Sequence, residues 1–150
     1  MSMNWEERLI LIAEDNDDDY FLWDRALRKA NVVNPVRRVK NGQEVVEYLS
    51  GAAPYSDRAI YPFPYFLLLD LKMPVKHGFD TLAWIRGREA TRLLPVVIFS
   101  SSQQTADIRK GYELGANGFV TKSTSVEGLV TIGAALQSYW LRVNCAELEV

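Results

Sequence analysis

A chain of 150 residues, 48% hydrophobic and 24% charged, is long enough for one domain with a full core and has the composition of an ordinary globular protein. Its net charge of −2, with no long Lys/Arg run, argues against a nucleic-acid-binding surface. No apolar stretch reaches membrane-spanning length, Met1 to Glu7 lacks a signal-peptide pattern, and the single cysteine, Cys145, rules out an internal disulfide. The expected location is therefore the reducing cytoplasm, away from any membrane, with Cys145 an inert thiol rather than a bridge between two copies.

The first apolar run, Leu9 to Ala13, is short and branched, as a buried strand should be, and it stops at the acidic pair Glu14-Asp15. Asn16 to Ala30 comes next as a helix. Asp17, Asp18 and Asp19 crowd its first turn and Arg25, Arg28 and Lys29 its end, which matches the helix dipole, while Trp23, Ala26, Leu27 and Ala30 form its apolar stripe. The three aspartates are expected to be a solvated first turn with no metal role. Val36 to Val39 contains Arg37 and Arg38 and opens after Pro35, which suits an edge strand. Gly42 to Leu49 reads as a second helix ended by Gly51.

Gly51 to Pro64 is long for a connection in a compact α/β unit and holds Pro54, Pro62, Pro64, Tyr55, Tyr61 and Phe63. It enters the third strand at its N-terminal end, and is read as a rigid lid packing its aromatics under the sheet rather than a partner-docking loop. The third strand, Phe66 to Leu69, ends at Asp70. Phe79, Leu82 and Ile85 mark a third helix, Val96 to Phe99 a fourth strand, and Thr105 to Leu114 a fourth helix closed by Gly115. After the brief fifth strand at Phe119-Val120 comes the clearest helical pattern, Leu129, Ile132, Leu136, Tyr139, Trp140 and Val143. Five strands alternating with five helices predict an α/β fold with a buried parallel sheet, right-handed crossovers and helices on both faces.

The chemistry gathers at the carboxyl ends of the strands. They carry Glu14-Asp15, Asp70, Ser100-Ser101 and Thr121-Lys122, and in a doubly wound sheet ligands bind outside those ends. Three acids suit a hard divalent cation. With a hydroxyl and an ammonium beside them they form a kit for accepting a phosphoryl group. Asp70 is the expected nucleophile, and Mg²⁺ is expected on Asp15, on Asp70 and, through water, on Glu14. Lys122 is expected to pair with Asp70 and then with a phosphoryl oxygen, and Ser100 to donate its hydroxyl to another. No glycine-rich loop comes after the first strand, which disfavours nucleotide or flavin binding. The sole histidine, His77, lies in a loop and is expected to face solvent.

Glu14-Asp15-Asn16, Asp70-Leu-Lys-Met-Pro74 with Gly78 four residues later, Ser100, and Gly115-Ala-Asn-Gly-Phe-Val-Thr-Lys122 stand in order at the right strand ends. On these motifs the chain resembles the response-regulator receiver domains of two-component signalling, from about Arg8 to Val143. The resemblance implies a flavodoxin-like sheet in the strand order 2-1-3-4-5. It also implies phosphorylation of Asp70 by a sensor histidine kinase or a phosphotransfer protein, with the backbone carbonyl of Lys72 as a further metal ligand. Ser100 and Phe119 would be its switch residues, Ser100 moving toward the phosphoryl group and Phe119 turning inward. The acid-rich start, the long central loop and the lack of an output domain look similar to stand-alone receivers that serve phytochrome-type kinases.

One departure stands out. The family's usual proline after the lysine is Ser123 here. A non-proline cis bond costs about 3 kcal/mol, so a trans bond is expected and the switch is affected more than the phosphorylation. Two other functions compete. One is an adaptor receiver that works without phosphorylation. The other is a Mg²⁺-dependent phosphohydrolase, disfavoured because Lys72 stands where such an enzyme needs a second carboxylate.

The final helix, Ser125 to about Val143, spans roughly 28 Å, against about 17–20 Å for a typical strand. Its end, Tyr139-Trp140-Leu141 with Val143, is expected to project with apolar surface exposed and to pair two copies through the fourth and fifth helices. The competing expectation is a helix that curls back and buries these residues itself.

Overall fold

Uninterrupted branched and aromatic side chains make strands that are buried on both faces, and three of the five runs behave this way in the computed structural model. The structure describes residues 4–122 and 125–144. Strand β1 (Ile10–Ala13), β3 (Phe66–Asp70) and β4 (Val96–Ser100) are buried at every position. Strands β2 (Val36–Val39) and β5 (Gly118–Thr121) are only partly covered and form the two edges. All pairings are parallel, in the order β2-β1-β3-β4-β5. This is the expected doubly wound, flavodoxin-like sheet. Its register sets Ala13 opposite Leu69, Asp70 opposite Phe99, and Ser100 opposite Thr121, so the strand ends share one rim.

Helix α1 (Asp17–Lys29) starts where the Asn16 side chain accepts the Asp19 N–H at 2.9 Å, and α2 (Gly42–Ser50) where Asn41 caps Glu44 at 2.8 Å. Gly51, with φ +71°, ends α2 in the left-handed region that glycine enters without strain. Helices α3 (Gly78–Arg86), α4 (Thr105–Glu113) and α5 (Val126–Leu136) complete the alternation. Helices α1 and α5 cover one face over Ile12, Leu68, Phe99 and Trp23, while α2 and α3 cover the other over Leu11, Leu69, Val45 and Leu82. His77 is exposed as expected and also caps α3, its Nδ1 accepting the Phe79 N–H at 3.1 Å.

The long connection packs as a lid at the N-terminal ends of the strands, as its aromatics predict. Arg58 donates to the carbonyls of Tyr48 at 2.8 Å, Leu49 at 2.9 Å and Tyr61 at 3.2 Å. The Tyr48 hydroxyl donates to Pro62 O at 2.9 Å, and the rings of Tyr48, Tyr55 and Tyr61 stack edge to face or tilted.

The end of the chain corrects the expectation of a projecting helix. After α5 the winding widens into a π-helical segment, Gln137–Val143, that packs where β1 and β3 begin. Leu141 is fully buried and the Trp140 ring stacks on Phe66 with centroids 6.0 Å apart. Arg8 Nη1 donates to Leu141 O at 2.7 Å, the Tyr65 hydroxyl donates to Asn144 O at 3.2 Å, and Arg142 lies over the Trp5 ring. Burying a leucine and most of a tryptophan gains about 1.5–3 kcal/mol each, which decides against leaving them in water. Tyr139 stays half exposed, and the Val143 side chain falls outside what the structure describes. Among the described residues no helix is long and apolar enough to cross a membrane. The expectations for Ser123 and its peptide bond, and for Cys145, fall outside the described residues.

Candidate functional site

Each side chain of the site stands where a strand has just ended. Glu14 lies just past β1 and is fully buried; Asp15, next to it, is exposed. Asp70 closes β3 at 4% exposure and Ser100 closes β4 at 1%. Glu14, Asp15 and Asp70 each offer a carboxylate oxygen, and the three oxygens lie within 4.8 Å of one another. Hard, anionic oxygens at that spacing, one of them open to solvent, fit a cation such as Mg²⁺ or Mn²⁺ that keeps some of its water. A softer metal would ask for nitrogen or sulfur, and among the described residues the cluster has neither.

Lys122, just beyond β5, reaches over this group. Its Nζ donates to Glu14 Oε1 at 2.8 Å, to Asp70 Oδ2 at 3.1 Å and to Asp19 Oδ2 at 3.3 Å, and lies 5.1 Å from the Phe99 ring centroid. The Lys122 backbone N–H is itself held by Ser100 O at 2.8 Å. One ammonium therefore faces three carboxylates, and Asp15 adds a fourth nearby. The imbalance shows in the proton affinities. Burial, helped by the negative charge of Asp70, outweighs Lys122 and pushes the Glu14 carboxyl up to about 7. Burial also works against the Lys122 ammonium, but its bonds to Glu14 and Asp70 win and hold it above the ordinary lysine value. The rim is short of positive charge, which is what a divalent ion supplies.

The raised Glu14 pKa fixes the sign of a stability effect. The folded carboxyl binds its proton below about 7 while an unfolded glutamate waits until about 4.5. Between those values the folded state holds more protons, so this group makes the metal-free protein more stable as pH falls from about 7 toward 4.5. In urea unfolding with chelator present, the wild type is expected to gain on the order of 1 kcal/mol relative to Glu14→Gln between pH 7.5 and pH 5. A difference between the two proteins that stays constant with pH would contradict this.

Ser100 Oγ accepts the Ser102 N–H at 3.1 Å, and Ser102 Oγ donates to Asp107 at 2.6 Å, so the hydroxyl is tied through one loop residue to the first turn of α4. Phe119 is half buried, its ring packed beside Ile98 and Gly111 of α4, where a Cβ would meet it at 3.2 Å. Lys72 is exposed beside the site. Asp19 joins the site against expectation. Asp17 does pair outward, with Arg38 at 2.7 Å, and Asp18 is exposed, but Asp19 turns inward to Lys122.

The model of the response regulator receiver domain matches residues 10–132. The chain belongs to the response regulator receiver family. The receiver is 28% identical to the response regulator Rcp1 of Synechocystis over 134 residues, 89% of each chain. Its fold superposes on the phosphorylated cyanobacterial phytochrome response regulator RcpA with a TM-score of 0.85, at 31% identity, covering 94% of this chain and 99% of that one. The Mn²⁺-bound form of Rcp1 gives a TM-score of 0.81 at 27% identity, covering 93% of this receiver and 98% of Rcp1. The receiver is thus a two-component signalling protein, and its acidic pocket is of the kind that takes a divalent metal.

Proposed function

We propose that this receiver takes a phosphoryl group on Asp70, with Mg²⁺ bound, from a sensor histidine kinase of phytochrome type or an intermediate phosphotransfer protein, and signals by docking in the cytoplasm. The observation that carries it is Lys122 Nζ at 3.1 Å from Asp70 Oδ2, on the rim where Glu14, Asp15 and Asp70 converge. The likeness to RcpA and Rcp1 supports the choice of kinase, since RcpA is a phytochrome response regulator.

In this mechanism a carboxylate oxygen of Asp70 attacks phosphorus, the bond from phosphorus to the donor breaks, and the donor leaves with the electron pair. An acyl phosphate remains on Asp70. Glu14, Asp15, Asp70 and the Lys72 carbonyl are the residues to hold the cation, which when bound offsets charge on the transferring oxygens. Lys122 moves its hydrogen bond from Asp70 to a phosphoryl oxygen, and Ser100 gives up the Ser102 N–H and donates its own proton to a second oxygen. That shift loosens the tie from Ser102 to α4 and leaves room for Phe119 to move with it. Only a bias between two conformations is needed, and about 5.5 kcal/mol covers a complete reversal from 1:99 to 99:1. Pairing of two copies through α4 and α5 stays part of this proposal, with Leu141 packed inside the molecule and Tyr139, 54% exposed, as the apolar side chain left to support it.

The test is the intact mass of the wild-type protein after incubation with acetyl phosphate. One Mg²⁺-dependent phosphoryl addition, removed by hydroxylamine as an acyl phosphate is, is the expected result. No addition with Mg²⁺ present would turn the function toward an adaptor that works unphosphorylated.

A further inference from the structure

Lys122 has three carboxylate partners, and they do not share one fate when the site is charged. Glu14 and Asp70 belong, with Asp15, to the set whose oxygens converge within 4.8 Å. A divalent ion among them draws on the same two carboxylates that hold the ammonium, and its charge repels the ammonium. Asp19 lies outside that set. It stands on the first turn of α1, its backbone N–H fixed by Asn16 at 2.9 Å, and reaches Lys122 Nζ at 3.3 Å from the solvent side. Its side chain is 44% exposed, whereas that of Lys122 is 18% exposed.

From this geometry we propose that Asp19 is a positioning residue: it keeps the Lys122 ammonium over Asp70 once the metal has occupied Glu14 and Asp70. The inference rests on Asp70 as phosphoryl acceptor and adds what holds its lysine in the loaded state. Without Asp19 the ammonium, pushed by the cation, leaves for water, and the incoming phosphoryl oxygens lose their donor. Among the described residues the Lys122 ammonium otherwise meets only the Phe99 ring, its Nζ 5.1 Å from the centroid, while its backbone N–H is held by Ser100 O. A ring face at that distance attracts the ammonium weakly and without a fixed direction, so it does not by itself aim Nζ at Asp70.

The test compares wild type, Asp19→Asn and Asp19→Glu, first by NMR of the lysine Cε–Hε groups during titration with Mg²⁺ alone. With saturating Mg²⁺, the Lys122 signal is expected to stay restricted in wild type and in Asp19→Glu, and to become that of a mobile surface lysine in Asp19→Asn. A Lys122 equally mobile, or equally restricted, in wild type and Asp19→Asn would overturn the proposal. Phosphoryl uptake from acetyl phosphate at saturating Mg²⁺ is the second measurement. Asp19→Asn is expected to slow it about threefold to tenfold, with recovery in Asp19→Glu. The same substitution on a Lys122→Met background is expected to change the residual rate by less than about twofold, because Asp19 then has nothing to hold. Equal slowing on both backgrounds would show Asp19 acting on the ion or the donor directly, and would overturn it. Absent uptake in the wild type would count against Asp70 as acceptor, while the NMR result would still decide the role of Asp19.

Discussion

Asp70→Asn is expected to abolish phosphoryl uptake, a loss of at least about a hundredfold, while leaving the metal-free protein as stable as wild type or more so. The two halves come from different properties of one side chain. An amide oxygen is too weak a nucleophile to form the acyl phosphate, and losing one of the three converging carboxylates also weakens the metal site. The fold, in contrast, holds Asp70 at a cost. It is 4% exposed and its charge is among the causes that raise Glu14. An asparagine keeps an oxygen for Lys122, now 3.1 Å from Asp70 Oδ2, and removes the repulsion. The expected gain is about 0.5–1 kcal/mol, read as a higher urea midpoint with chelator present, a trade of stability against activity common at reactive sites. Intact mass and urea unfolding of the same preparation check both halves. A variant that loses uptake and also unfolds early would make Asp70 a structural residue instead.

Gly78→Ala is expected to cost about 3 kcal/mol or more, and for a receiver of this size that lowers the melting temperature by about 10 °C. A Cβ at Gly78 would sit 2.5 Å from Asp70 O and 2.7 Å from Leu71 Cα. Both are backbone atoms, so no side chain can swing away to make room. The same approach brings the Gly78 N–H to Leu71 O at 2.8 Å, which ties the start of α3 to the chain that carries the acceptor. The fraction that still folds is expected to take up phosphoryl groups more slowly, because the displaced backbone is that of Asp70. Gly87 at the other end of α3 makes the control. Its φ is −84° and a Cβ there meets Ala83 O at 3.3 Å, so Gly87→Ala is expected to be neutral or to stabilise by a few tenths of a kcal/mol. Thermal melts of the two variants with opposite outcomes would separate close approach from a general need for glycine. Equal melting temperatures would refute the clash.

The site was legible in the sequence largely because strand ends are legible. Leu9 to Ala13, Phe66 to Leu69 and Val96 to Phe99 are continuous apolar runs, and the residue immediately after each run must lie on the rim of a parallel sheet. Glu14, Asp15, Asp70 and Ser100 were placed that way, and the structure brings the three acids together under Lys122. Burial of Glu14 was not legible, because it depends on the groups that pack above β1. Nor was the inward turn of Asp19, since a helix dipole favours all three first-turn aspartates equally and only the direction of each side chain tells them apart. The π-helical end was missed because helical periodicity continues through Tyr139 and Trp140 whichever way the segment bends, and the decision rests with distant partners, Arg8, Trp5 and Phe66. Val75 escaped for the opposite reason. A β-branched residue at φ +67°, at the centre of a tight turn closed by the Lys76 N–H to Pro74 O bond at 2.7 Å, is disfavoured by its own local chemistry, so no local rule points to it.

The alternation of side chains along β4 and β5 has a mechanical consequence. Ile98 and Phe119 point to the face covered by α2 and α3, where Phe119 meets Gly111 of α4. Phe99 points to the opposite face, where its ring meets Trp23 of α1 edge-on at 5.5 Å and carries Lys122 above it. By the same period of two, Ser100 shares the side of Phe119 and Lys122 the side of Phe99. A displacement of the hydroxyl and a displacement of the ammonium would therefore be delivered to different layers of the molecule. In the proposed switch one chemical event at the rim would have two outlets, and a substitution at Gly111 or at Trp23 is expected to silence one while leaving the other open.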